Sequence, residues 1–216
     1  SSDLIKWLTW DKKEYGEVVA QDWVDALKYI MTSENASSTS NLAYDVIKNG
    51  KAFYDKEITD FAQVGVKAKD KNTLEITLAK PCPYFMTMLT YVTFLPVSGK
   101  FLTEVGDKFG TDHKNLLYNG AYIISNWEHS VTRVMDKNEK YWDAGSVHMK
   151  KLTYKFNKEA GTLAPEMFLR GEISGASISS ALLGDWMADP AKKAMIRPGA
   201  SSTYSYFYAF NFDPLF

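Results

Sequence analysis

Several features that mark whole classes of protein are scarce in this sequence. A single cysteine, Cys82, excludes an internal disulfide, and we interpret its thiol as a small apolar group rather than a nucleophile. The 25 basic and 26 acidic residues leave a net charge of -1, which provides no electrostatic field for nucleic acid or anionic lipid. No apolar run reaches the roughly 18 residues that cross a bilayer. We therefore expect neither a nucleic-acid-binding protein nor a membrane-spanning segment.

Motifs for catalysis and metal binding are missing as well. The sequence contains no G-x-S-x-G, H-E-x-x-H, Walker or G-x-G-x-x-G motif and no cysteine pair. The histidines His113, His129 and His148 have no second ligand at metal-binding spacing, so we predict surface or capping positions for them. We therefore predict no catalytic residue, no metal ligand and no cofactor. The expectation that the chain is not an enzyme depends on these missing motifs together with the family resemblance that the motifs below carry.

The clearest structural signal is an alternation of apolar and polar residues in two short runs. The runs cover 64–68 and 74–78, and Asp70 and Asn72 lie between them. Asp and Asn suit a tight connection because they tolerate positive φ and hydrogen-bond to nearby backbone. The pattern predicts a β-hairpin with one wet face. Two prolines then end the second strand, and the apolar residues after them are spaced for one or two helical turns against the dry face.

Helical periodicity is clearest over residues 20–31. The apolar residues of this segment mark one face, and its charged residues are predicted to face solvent: Asp22, Asp25 and Lys28. Val19 precedes the helix, so no hydroxyl caps the first turn, which is predicted to fray. A further helix is predicted over 45–54.

Strands and helices are both predicted in the second half of the chain. Strands are expected over 131–135 and 152–156. A helix over 159–170, ended by a left-handed cap at Gly171, is followed by a strand that begins at Glu172, and a further helix over 180–189 is stopped by Pro190. The aromatic pair at 141–142 is interpreted as core. The composition, with 45% hydrophobic residues, is sufficient for one or two globular domains.

Five motifs occur in an order that is typical of one family. They are the hairpin runs VGVKA and TLEITL with KPCPYF, NGAY at 119–122, KNEKYWD at 137–143, LRGEI at 169–173 and FYAFN at 207–211. In this combination the sequence resembles the extracytoplasmic oligopeptide-binding proteins that feed ABC importers, especially the lipoprotein type of Gram-positive bacteria. Each motif alone is weakly specific, but five in the same order carry the resemblance.

The resemblance implies a mixed α/β fold, the periplasmic-binding-protein-like type II fold of the peptide-binding class, in incomplete form. Residues 1–118 would form part of a small α+β lobe, and residues 119–203 part of the larger, mixed-sheet, ligand-binding lobe. Residues 204–216 would be a hinge strand that leads into an absent opposite lobe. Because members of this family are more than twice as long, we expect the chain to be the central piece of such a protein.

The function that the resemblance implies is capture of short peptides by their backbone between two closing lobes, followed by delivery to a membrane ABC permease. The expected location is the extracellular face of the cytoplasmic membrane, through a lipid anchor outside this chain, or the periplasm of a Gram-negative cell. We expect a monomer. Two alternatives stay open, a cell-surface interaction module of the adhesin type and a receptor of the same superfamily for another solute.

From the family's pattern, five residues are predicted to line the peptide cleft: Ser177, Ile178, Tyr204, Ser205 and Phe207. The first two follow the Gly-Glu motif in a small, polar segment, and the other three belong to an aromatic strand. Because side chains alternate along a strand, either Tyr204, Tyr206 and Tyr208 or Ser205 and Phe207 face the ligand.

A further candidate for the pocket wall is Tyr44. In the family, the acidic group that receives the peptide's amino terminus lies in the half that this chain lacks. The chain alone is therefore expected to bind peptides poorly. Calorimetry of the chain with a peptide mixture tests this expectation, and micromolar affinity would contradict it.

Overall fold

The computed structural model describes residues 5–199, 208 and 210 of the chain. The chain forms two compact units, which meet in sequence between Phe156 and Asn157. The predicted division into lobes concerns a complete two-lobed protein and stays a prediction.

The strands described in the first unit are β1 (Lys6–Leu8), β2 (Glu14–Glu17), β3 (Val66–Ala68), β4 (Leu74–Ile76), β5 (Tyr122–Glu128), β6 (Thr132–Lys137) and β7 (Lys151–Lys155). Its α-helices are α1 (Ala20–Met31), α2 (Ser40–Tyr44), α3 (Gly50–Tyr54), α4 (Phe85–Met88) and α5 (Gly99–Val105). The strands pair in antiparallel fashion as β1-β2, β3-β4 and β5-β6-β7. The helices of the second unit are α6 (Ala160–Leu169), α7 (Ser180–Ala188) and α8 (Pro190–Met195).

Helix α1 has the bounds that its periodicity predicts, but the predicted solvent position of Asp22 is wrong. Asp22 is only 6% exposed. Its carboxylate accepts a hydrogen bond from the Val19 backbone N–H at 2.9 Å and another from Trp7 Nε1 at 2.9 Å. This carboxylate therefore ties the start of α1 to β1 and supplies one half of a capping box, although Val19 itself has no capping side chain.

The predicted β-hairpin is confirmed. In the β3-β4 pair, Val66 lies opposite Ile76 and Ala68 lies opposite Leu74. These four residues are buried or half-buried, whereas the residues between them on each strand are exposed. The hairpin contributes to the main core, whose buried members are Leu27, Met31, Ala43, Val46, Ile47, Phe61, Val64, Val66 and Phe94. Phe85 of α4 packs against this core, as the sequence pattern predicts.

The helix predicted over 45–54 is confirmed only for its second half, α3, because residues 45–49 form a non-helical break between α2 and α3. Ile47 lies in this break and forms an isolated antiparallel bridge with Leu78. Asn49 has a left-handed backbone with φ of 59°, which an α-helix cannot continue through. Pairing with a segment about thirty residues away in sequence therefore replaces the local helix.

Two predictions about ring side chains are also wrong. His113 was predicted at the surface or in a capping position, and the surface position is wrong, because His113 is 7% exposed and packs edge-on against Trp10 with 5.6 Å between the ring centroids. Trp142, predicted in the core, is 72% exposed. The exposed positions of His129 and His148 agree with the prediction. Whether a ring is buried depends on which distant segments pack against it, and local periodicity does not predict those contacts.

Two of the five sequence motifs meet at the start of the three-stranded sheet. Asn138 is 3% exposed and donates its side-chain amide to the Gly120 carbonyl at 2.8 Å. Its backbone N–H donates to the Ala121 carbonyl at 2.8 Å, and its Oδ1 accepts from the Lys140 backbone N–H at 3.0 Å. The end of β6 is thereby joined to the segment that leads into β5, and the buried amide is satisfied.

The second unit contains α6, α7, α8 and an irregular loop. Helix α6 ends next to Gly171, whose φ of +73° fits the predicted left-handed cap. The strand predicted to begin at Glu172 is wrong, since residues 172–179 form no strand. Pro190, predicted only to stop a helix, is the first residue of α8, and the Asp189 carboxylate caps that helix through two backbone N–H groups at 2.8 and 3.2 Å.

Candidate functional site

An open cavity of about 570 Å³ lies within the second unit. It is bounded by the loop after α6, by α7 and by the C-terminal end of α8. Its walls include residues 174–178 of the loop, Phe168 of α6, Leu183 and Trp186 of α7, and Met195 and Arg197 at the end of α8. The volume falls within the roughly 300–1,000 Å³ that is usual for ligand pockets.

Helix α7 supplies the apolar wall through two side chains on one face. Leu183 and Trp186 are three residues apart, which places them next to each other on a helix surface. Trp186 is 4% exposed, whereas Leu183 is 43% exposed. The indole is thus packed into the second unit, and the leucine leaves apolar surface open to a ligand.

The loop at 173–178 has an unusual backbone. Within the part of the chain that the structure describes, its six residues make no backbone hydrogen bond, either as donors or as acceptors. Its sequence explains this, because Ser174, Gly175, Ala176 and Ser177 are small and offer no apolar bulk to anchor a strand or helix. A run of unpaired N–H and C=O groups beside a cavity is suited to pairing with the main chain of an extended ligand.

The start of this loop is held by the end of α6. The Glu172 backbone N–H donates to the Met167 carbonyl at 2.9 Å, and Arg170 Nε donates to the Glu172 carboxylate at 2.7 Å. This carboxylate raises the pKa of the Arg170 guanidinium, so the side chain stays charged. The contacts continue the turn at the helix end, which explains why no strand begins at Glu172.

Arg197 provides the positive charge of the cavity. Its Nη1 donates to the carbonyls of Ala194 and Ile196 at 2.8 and 2.9 Å, which holds the side chain at the C-terminal end of α8. Carbonyls in the last turn of a helix carry partial negative charge, so the guanidinium is favoured there. No carboxylate is found among the cavity-lining residues that the structure describes.

The structure brings two of the predicted cleft residues together, because Ser177 and Ile178 both line this cavity. Tyr204, Ser205 and Phe207 lie outside the described residues, as does Tyr206. Tyr208 and Phe210 are described and are 92% and 75% exposed. Contact of any of these residues with a ligand stays a prediction.

Tyr44 lies in the first unit, where it packs against the main core. Its ring is tilted against that of Tyr54, with 4.6 Å between the centroids, and Lys51 Nζ lies 5.3 Å from the Tyr44 centroid. Its predicted contact with a ligand stays a prediction.

Sequence reasoning missed Trp186 and Arg197. The spacing of Leu183 and Trp186 was available as a signal, and so was the basic residue two positions after the end of α8. Arg197 was missed because Pro190 was interpreted as the end of the preceding helix, so no helix was predicted whose C-terminal end Arg197 could follow.

The described residues include neither a candidate metal site nor a candidate membrane-spanning helix. No group of three or more His, Cys, Asp and Glu side chains there could hold a metal ion. No helix formed by these residues is both long and apolar enough to cross a membrane.

The family model for the middle part of the bacterial extracellular solute-binding proteins of family 5 matches residues 8–216. The chain belongs to this family. Among curated relatives of this chain is the oligopeptide-binding protein AliA of Streptococcus pneumoniae, which is 36% identical over 176 residues, or 80% of this chain and 26% of AliA. The chain therefore spans about a quarter of the length of AliA and of the oligopeptide-binding protein SarA of Streptococcus gordonii.

Solved structures confirm the predicted mixed α/β fold of the peptide-binding class. OppA of Burkholderia pseudomallei superposes with a TM-score of 0.76 at 27% identity, over 86% of this chain and 35% of that protein. Listeria monocytogenes OppA, solved with bound peptide, superposes with a TM-score of 0.70 at 29% identity, over 80% of this chain and 32% of that protein. AliA is named as an oligopeptide-binding protein, which agrees with the resemblance found in the motifs.

Proposed function

We propose that this solute-binding chain is part of an extracytoplasmic receptor that captures short peptides and hands them to a membrane ABC permease. The observation that carries the proposal is the loop at 173–178, whose backbone has no partner among the described residues and lies beside an open cavity. Two relatives that match most of this chain support it, because AliA is named an oligopeptide-binding protein and Listeria monocytogenes OppA was solved with bound peptide. Ser177, Ile178, Tyr204, Ser205 and Phe207 are proposed to contact the ligand.

Main-chain pairing explains how such a receptor accepts many peptides. Hydrogen bonds between the loop and a peptide backbone supply affinity without reading the peptide's sequence. Water in the cavity can then accommodate different side chains, because bridging waters cost little free energy. Closure of two lobes about a hinge would exclude solvent from these hydrogen bonds and strengthen them.

The remaining parts of the proposal concern the complete protein. It would be a monomer, held by a lipid anchor at the outer face of the cytoplasmic membrane, and it would release peptides chemically unchanged. Mass spectrometry of peptides before and after incubation tests the last point. A cleaved peptide would contradict a binding role without catalysis.

The role of the loop backbone can be tested with two substitutions at one position of the intact protein that carries this sequence. Ser177→Pro removes a backbone N–H, so we expect the affinity for a peptide mixture to fall about tenfold. Ser177→Ala removes only the hydroxyl and is expected to keep the affinity within about threefold. Isothermal calorimetry measures both, and fluorescence of the six tryptophans reports binding independently.

Each result has a clear consequence. Circular dichroism of both variants must match the wild-type spectrum before their affinities are compared. Equal losses in the two variants would assign recognition to the hydroxyl and contradict capture through the backbone. No response of the wild type to any peptide, together with binding of another solute, would favour the alternative of a receptor for that solute.

A further inference from the structure

We infer that the cavity of the second unit selects peptides that present a carboxylate next to an apolar group. This inference rests on the proposed function and names the class of peptide that the site prefers. The carboxylate could be the peptide's C-terminus or an acidic side chain, which are the same chemistry from two sources.

Among the cavity-lining residues that the structure describes, Arg197 is the basic side chain and none is acidic; Lys192 Nζ lies outside this lining, 5.7 Å from the ring centroid of Trp186. The other two arginines of the chain are engaged elsewhere. Arg170 pairs with the Glu172 carboxylate at 2.7 Å, and the guanidinium of Arg133 lies 4.4 Å from the ring centroid of Trp127. Arg197 therefore lacks the carboxylate or ring partner that each of the others has within the described residues.

One edge of the Arg197 guanidinium is available for a hydrogen bond to a ligand. Both of its hydrogen bonds to described residues come from Nη1 and run to the carbonyls of Ala194 and Ile196. Within the described part of the chain, Nε and Nη2 have no partner. These two nitrogens carry N–H donors on the planar guanidinium, an arrangement that suits the two oxygens of a carboxylate.

Part of the cavity wall is apolar. Ile178, Trp186 and Met195 line the same cavity, and Met195 is 48% exposed because the cavity is open. An apolar group of the ligand would cover this surface and remove water from the ion pair, and the attraction between opposite charges grows as water is removed. The preferred ligand therefore combines an apolar body with a negative end.

Four peptides of the same length test this inference with the intact protein that carries this sequence. They are alanine-leucine pentapeptides with either a free C-terminus or a C-terminal amide, each carrying either glutamate or glutamine at the centre. We expect at least one loss of a carboxylate to weaken binding about tenfold. A loss on amidation identifies the C-terminus as the source, and a loss on exchange of glutamate for glutamine identifies the side chain.

Two variants link the preference to the proposed group. Arg197→Gln is expected to remove the preference while keeping the affinity for the peptide without carboxylates within about twofold. Lys193→Gln, an exposed position on α8, removes the same charge near the site and is expected to leave the preference intact. The unchanged affinity for the uncharged peptide also shows that the variant is folded.

The outcomes separate this inference from the proposed function. Binding of all four peptides with affinities within about twofold of each other would overturn the inference and leave peptide capture standing. A preference that survives in Arg197→Gln would also overturn it. Failure of all four peptides to bind the wild type would contradict the proposed function itself.

Discussion

The two units of the chain contain similar apolar side chains but use them differently. In the first unit Leu27, Met31, Ile47 and Val64 are each at most 1% exposed and join one core. In the second unit, within the described range, Trp186 and Pro165 are the buried residues with large side chains. Leu163, Leu183, Met187 and Met195 of that unit are each at least 40% exposed.

This difference indicates where stability and binding reside. Close packing in the first unit removes apolar surface from water and stabilises the fold. The second unit keeps apolar surface and a stretch of backbone unsatisfied by its own residues, which are the two features that a ligand can complete. The comparison predicts that equivalent substitutions will be costly in the first unit and tolerated in the second.

Truncation of a leucine in each unit should give the largest contrast. Leu27→Ala is expected to lower the free energy of unfolding by about 2–5 kcal/mol, because it leaves a cavity in a closed core. Leu183→Ala removes a side chain that is 43% exposed, so the expected loss is below about 1 kcal/mol. Urea unfolding followed by circular dichroism measures both. Equal losses would show that the second unit is packed as tightly as the first.

Addition of a methyl group to a glycine in each unit sharpens the same comparison. A Cβ at Gly65 would lie 2.4 Å from the Thr77 carbonyl oxygen in the paired hairpin segment, whereas one at Gly175 in the cavity loop would have no heavy atom within 4 Å. We expect Gly65→Ala to cost about 1–3 kcal/mol and Gly175→Ala less than about 0.5 kcal/mol. Thermal unfolding of the two variants provides the test, and a stable Gly65→Ala protein would contradict the tight hairpin contact.

The smallest expected effect concerns the buried carboxylate of the first unit. Burial raises the pKa of Asp22 above its ordinary value of 3.8, although hydrogen bonds from Val19 and Trp7 act in the opposite direction. Between 3.8 and the raised pKa, the folded chain holds a proton that the unfolded chain has released. The contribution of Asp22 to the free energy of unfolding therefore falls as the pH rises through this interval.

Asp22→Asn removes this titration. The stability of the variant relative to the wild type should therefore rise with pH across the interval and then level off. Urea midpoints measured from about pH 3 to about pH 7 provide the two profiles. Parallel profiles would show that burial does not shift the Asp22 pKa.

The elements that could be predicted are those whose signal is local. The alternation at 64–68 and 74–78 is sufficient for the hairpin, because a strand with one buried face repeats every two residues. The periodicity over 20–31 is sufficient for α1 for the same kind of reason. The motifs also led to Ser177 and Ile178, and the structure places both at one cavity.

The errors occur where a distant segment changes the outcome. Asp22 was expected in solvent from its place on α1, yet Trp7, fifteen residues earlier, binds its carboxylate. Ile47 was expected in a helix, yet it bridges Leu78. Arg197 was overlooked because its role depends on a cavity that the loop at 173–178, α7 and the end of α8 form together.

Residue order alone was therefore enough to establish the family, the hairpin and the longest helix of the first unit, since short-range periodicity and motif order encode them. The burial of Asp22 and His113, the break between α2 and α3, and the cavity around Arg197 depended on the folded chain. The physical reason is that burial, charge pairing and an unpaired backbone are properties of neighbours in space, and those neighbours come from separate parts of the chain.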